Sequence, residues 1–107
     1  MDKDCPVKKG LNIFDGKWKV RVLYELIVKS PMRFGELRKE IPDISNTMLS
    51  GTLRKLEESG LVIRQQFNEI PPHVEYYLSE SGRALIPIFD AIGAWGEAYG
   101  DSAPENK

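Results

Sequence analysis

Apolar residues recur along this chain with a helical period over roughly the first sixty positions and with a strand period directly after them. Cys5-Pro6 can open a short helix, because proline suits a first turn. Asp15 is a candidate N-cap for a helix over 16–29, in which Trp18, Val22 and Leu26, with Leu23 and Ile27, make one broad apolar face. Ser30-Pro31 stops that helix. Phe34, Leu37 and Ile41 mark a shorter one, ended by Pro42. Asp43-Ile44-Ser45 is a tight connection, and Ser45 caps a helix over 46–59 that keeps Leu49, Leu53 and Leu56 on one side and stops at Gly60. Two helices a few residues apart, the second well capped, are a helix-turn-helix pattern.

After Gly60, Leu61, Ile63 and Phe67 alternate with Val62, Arg64 and Gln66, and Val74, Tyr76 and Leu78 alternate with Glu75, Tyr77 and Ser79. This is the pattern of a β-hairpin, with Asn68–His73 as a protruding, proline-stiffened tip. Ser79 caps a last helical stretch carrying Leu85, Ile88, Phe89, Ile92, Trp95 and Tyr99, with a kink or break at Pro87. The expected fold is α+β, mainly α: a winged helix-turn-helix with additional N- and C-terminal helices, over residues 1–100. A frayed polar tail over 101–107 follows.

Composition narrows the class. The 107 residues suit one domain, and the 41% apolar and 29% charged fractions suit an ordinary folded core. One Cys makes no internal disulfide, and one Cys with one His makes no zinc site, so no metal or cofactor is expected. With neither a secretory h-region nor an apolar span, a cytoplasmic protein without membrane contact is expected. The net charge of −1 hides an asymmetry, with 13 Lys/Arg against 9 Asp/Glu in residues 1–64 and 2 against 7 thereafter. A local basic face is therefore compatible with a near-neutral total. No phosphate loop, paired carboxylates or His-based nucleophile motif stands out, so catalysis is not expected.

On a helical wheel the side of 46–59 opposite Leu49, Leu53 and Leu56 carries Thr47, Ser50, Gly51, Arg54 and Glu58, flanked by Asn46 and Lys55. Small polar residues let a helix approach a major groove about 12 Å wide closely. Arg54 offers a fork to guanine or phosphate, and Asn46 suits adenine. Asn46, Thr47, Ser50 and Arg54 are thus candidate groove readers, while Glu57 and Glu58 limit insertion to the first two turns. Arg33, at the start of the preceding helix, is the preferred phosphate contact; Lys17, Lys19 and Arg38 or Lys39 are others. A merely solvated helix face, or a winged-helix module that binds protein without DNA, is the competing reading.

In this order and spacing the chain resembles the HxlR-type transcriptional regulators, winged-helix proteins related to the MarR group. The matching stretches are Cys5-Pro6-Val7, Gly16-Lys17-Trp18-Lys19, Arg33-Phe34-Gly35-Glu36-Leu37-Arg38, and Ile44-Ser45 with Met48-Leu49. They continue through Leu53-Arg54-Lys55-Leu56-Glu57, Gly60-Leu61-Val62, Pro71-Pro72-His73-Val74-Glu75-Tyr76, Leu78-Ser79 with Gly82-Arg83, and Trp95-Gly96. The resemblance implies a homodimer on the double-stranded DNA of a palindromic operator, with wings touching the flanks. It also implies repression or activation of nearby genes and, in several members, a response to oxidants or electrophiles through the cysteine that is Cys5 here. It leaves any small-molecule effector unnamed. The position after the two prolines, often Arg in the family, is His73 here.

The residues themselves add three expectations. Cys5 stands at a helix start near Lys8 and Lys9, features that favour thiolate and hence redox sensing. His73 is expected on the wing tip, where a protonated imidazole would meet DNA. Ile88, Ile92 and Trp95 are expected in a two-fold interface built from the first and last helices, since a small winged helix has little core left for them to cover. Trp18 is expected in the core.

Overall fold

The computed structural model describes residues 5–101, and the elements follow one another in the expected order. Helix α1, Pro6–Leu11, starts after Cys5 with its proline in the first turn and runs into a single 3-10 turn, Asn12–Phe14. Helix α2, Trp18–Lys29, begins later than expected. Asp15 is not its N-cap; it closes the 3-10 turn in an extended conformation, and Gly16 then takes φ 79°. That left-handed turn is open to glycine and delays the helix until Lys17 can cap it.

Helix α3, Phe34–Glu40, gives way at Ile41, which has left the helical region ahead of Pro42. In helix α4, Asn46–Glu58, the Oγ of Ser45 accepts the Met48 N–H at 3.0 Å, and the far end closes as a Schellman turn. There Gly60, at φ 79°, donates to Glu57 O at 2.9 Å and Leu61 donates to Leu56 O at 3.0 Å.

Strands β1, Val62–Phe67, and β2, His73–Leu78, pair antiparallel, with Val62 opposite Leu78 and Phe67 opposite His73. Met32 exchanges backbone hydrogen bonds of 2.9 and 2.8 Å with Tyr76, tying the α2–α3 connection to β2. Ser79 caps the short helix α5, Glu80–Arg83, and the chain restarts as α6, Ile86–Tyr99. The interruption expected at Pro87 is therefore a break ahead of it: the ring sits in the first turn of α6, where a missing N–H is tolerated.

The core joins Val22, Leu23 and Leu26 of α2 to Leu49, Leu53 and Leu56 of α4, closed by Leu37, Ile41, Ile44, Val62 and Leu78. Each such fully buried aliphatic side chain contributes about 1.5–3 kcal/mol. Trp18 is half-buried against this cluster. On β1 the buried face is the reverse of the one carrying more apolar residues: Val62 is buried beside Leu78 and Ile63 is exposed. Both faces of β1 offer an aliphatic residue, so period two alone cannot choose between them. Among the described residues no helix is long and apolar enough to cross a membrane. Beyond Asp101, the tail expected over 101–107 lies outside the described residues.

Candidate nucleic-acid interface

Because Leu49, Leu53 and Leu56 are inserted into the core, the opposite side of α4 is necessarily turned outward. Asn46, Thr47, Ser50, Gly51 and Arg54 line one shallow depression together with Phe34 of α3. Four of them, Asn46, Thr47, Ser50 and Arg54, are exposed, so the structure brings together all four expected groove readers. Thr52 is turned away and buried, its hydroxyl donating to Met48 O at 2.8 Å. The Arg54 guanidinium has neither hydrogen bond nor ion pair among the described residues. Asn46 does have a partner: Arg38 Nε donates to its Oδ1 at 2.6 Å, while Arg38 Nη1 donates to Ile44 O. Arg38 is thereby a strut between α3 and the start of α4 rather than a free phosphate ligand.

Other cations surround this surface at varying readiness. Arg33 is the N-cap of α3; its backbone N–H donates to Glu36 Oε1 at 2.7 Å, and its side chain is exposed and unpaired among the described residues. Lys17 lies with its ammonium 4.6 Å from the Trp18 ring centroid and shares a small hollow with Met48, Thr52 and Lys55 of α4. Lys19 Nζ approaches Asn12 O at 3.5 Å. Lys39 lines a depression with Lys29, Glu36 and Glu40, in which Glu40 is paired with Lys29.

The wing departs from expectation at His73. It lies at the start of β2 rather than on the tip, stacked on Phe67 with ring centroids 4.6 Å apart, and its Nε2 is 3.1 Å from Glu75 Oε2. The register causes this, since His73 faces Phe67 across the hairpin and Glu75 lies two residues on, along the same face. The charged group beside the ring is therefore the Glu75 carboxylate of its own strand. The tip is left to residues 68–72, where Ile70 is fully exposed.

No residue of α6 is buried; Ile88 (47% exposed), Ile92 (46%) and Trp95 (59%) form one apolar stripe that continues to Tyr99. Phe89, about a quarter-turn round the helix, packs against the core. Helix α1 also exposes Val7 and Leu11. Cys5 is a half-buried free thiol at the N-cap of α1.

Sequence reasoning placed Arg38 among phosphate ligands and did not foresee its bond to Asn46. Eight residues separate the two, and only the tight turn at Pro42–Ser45 closes that gap. Met32 as a strand partner of Tyr76 was likewise invisible, because one bridging residue leaves no alternation to read.

The same arrangement recurs in known proteins. The family model described as HxlR-like helix-turn-helix matches residues 13–104. An HTH-type transcriptional regulator of Methanothermobacter thermautotrophicus is 47% identical over 96 residues, covering 90% of this chain and 72% of the relative. Among solved structures, the redox regulator HypR in its reduced form matches with a TM-score of 0.83 at 41% identity, over 92% of this chain and 96% of that one. The reduced form of the transcriptional regulator YodB from B. subtilis matches with a TM-score of 0.81 at 32% identity, over 94% and 98%. A capped, outward-turned second helix, a hairpin wing and this extent of matching lead to one conclusion: the chain belongs to the HxlR-like helix-turn-helix family of transcriptional regulators.

Proposed function

We propose that residues 1–100 form a cytoplasmic, sequence-specific DNA-binding and dimerisation domain that acts as a homodimer on a palindromic operator. The observation that carries this reading is the concave, exposed face of Asn46, Thr47, Ser50 and Arg54 at the capped end of α4. Small side chains there allow close approach to base edges, and the unpaired Arg54 supplies a charged fork. Arg33 and Lys17 contact phosphates on either side, and the tip at 68–72 touches the flanking duplex. His73 supports the tip through its stacking on Phe67. Two copies joined through Ile88, Ile92 and Trp95, with help from α1, would set two α4 helices about 34–36 Å apart, one turn of duplex. A face built to bind protein alone would be apolar or acidic, and this one is neither.

Cys5 is the proposed signal input, an oxidant- or electrophile-responsive thiol. The likeness to HypR, described as a redox regulator, supports it. The test of the DNA reading is a mobility shift on duplex from upstream of the chain's own gene, at several salt concentrations. Arg54→Ala should cost about 1–3 kcal/mol, concentrated at one base step if Arg54 reads a base, or should lower the salt slope if it holds phosphate. Unchanged affinity and slope would refute its role.

A further inference from the structure

Resting on the DNA-reading role proposed for α4, the geometry points to Asn46 as a reader of acceptor edges, held in that orientation by Arg38. A guanidinium only donates hydrogen bonds, so the Asn46 atom 2.6 Å from Arg38 Nε must be the amide oxygen. The amide's two N–H bonds, on Nδ2, are then left for the groove. Arg38 is anchored in turn on the Ile44 carbonyl, within the connection that leads into α4, so turning the pair would break that bond. Asn46 is the first residue of α4 and shares its outward depression with Thr47, Ser50 and Arg54.

This arrangement reverses the ordinary expectation for asparagine. Bidentate recognition of adenine uses the amide oxygen to accept from N6 and the amide nitrogen to donate to N7. Here the oxygen already serves a cation, and an amino group approaching it would meet positive charge. Guanine, whose major-groove edge offers O6 and N7 as acceptors and no donor, matches the group that remains. Arg38 is a positioning residue: it selects the base without touching it.

The test is selection of bound duplexes from a randomised library by the full-length chain, comparing wild type with Asn46→Asp and Arg38→Ala. The wild-type pool should favour guanine over adenine about fivefold at one step of each half-site. In Asn46→Asp one carboxylate oxygen keeps Arg38 and the other turns the exposed group into an acceptor, so that step alone should change to cytosine, whose N4 donates. In Arg38→Ala the amide is free to turn, and adenine should recover at the same step. Should Arg38→Ala fail to fold, Asn46→Asp, which keeps the strut, carries the test. A wild-type preference for adenine there, or a loss of affinity in Asn46→Asp with no change of base, overturns the inference while leaving DNA recognition standing. A wild-type chain that enriches no sequence overturns the DNA reading and this inference with it.

Discussion

Replacing Trp95 with alanine should separate the protomers without unfolding them. No residue of α6 is buried, so the core assembled from α2, α3, α4 and the hairpin does not depend on Trp95. A tryptophan presents up to about 250 Å², and Trp95 leaves 59% of its surface uncovered beside Tyr99, whose ring centroid is 5.7 Å away. Covering that remainder, up to about 150 Å², in a two-fold interface stabilises by up to about 3.7 kcal/mol per copy at ~25 cal/mol per Å². Losing it should weaken dimerisation by up to about five hundredfold for each of the two copies. Sedimentation equilibrium over a wide concentration range measures this directly. Thermal unfolding of wild type should depend on concentration, whereas the variant should melt as a monomer with its helical signal intact. Ile70→Ala, a comparable apolar truncation on the wing tip, should leave association unchanged. The reasoning fails if wild type sediments as a monomer, or if Trp95→Ala dimerises as tightly as wild type.

Three further outcomes follow from the packing. A Cβ on Gly82 would lie 2.3 Å from the Leu61 carbonyl oxygen, so Gly82→Ala should destabilise by about 1–3 kcal/mol, measured by urea denaturation; an unchanged midpoint would contradict that close approach. Ser45→Ala removes the acceptor for the Met48 N–H and should cost about 0.5–2 kcal/mol in the same assay, with operator affinity reduced as the first turn of α4 frays. Lys29 Nζ lies 2.5 Å from Glu40 Oε1, and that hydrogen bond, opposed by partial desolvation, raises the lysine's pKa above its ordinary 10.5. A raised folded-state value adds stability at lower pH that is lost on alkaline titration. The difference in melting temperature between wild type and Lys29→Gln should therefore hold steady below the ordinary 10.5 and fade on alkaline titration beyond it; a gap that widened there would contradict the sign.

The helix-turn-helix was legible because its signals are local. Leu49, Leu53 and Leu56 recur at helical spacing, Ser45 and Gly60 bracket them, and burying that stripe forces Thr47, Ser50 and Arg54 outward. The stripe on α6 was legible for a related reason: Ile88, Ile92 and Trp95 lie along one side of a helix that has little core to cover.

What the chain's order of residues determined by itself was therefore the succession of elements, the inward faces of α2 and α4 and the identity of the exposed side of α4. Tertiary structure alone decided where His73 points, which face of β1 is buried, and that Arg38 reaches Asn46. The physical reason is range. Helical periodicity and capping act over three or four residues, whereas strand register, bridges and side-chain hydrogen bonds across turns join positions whose separation is set by how the elements pack.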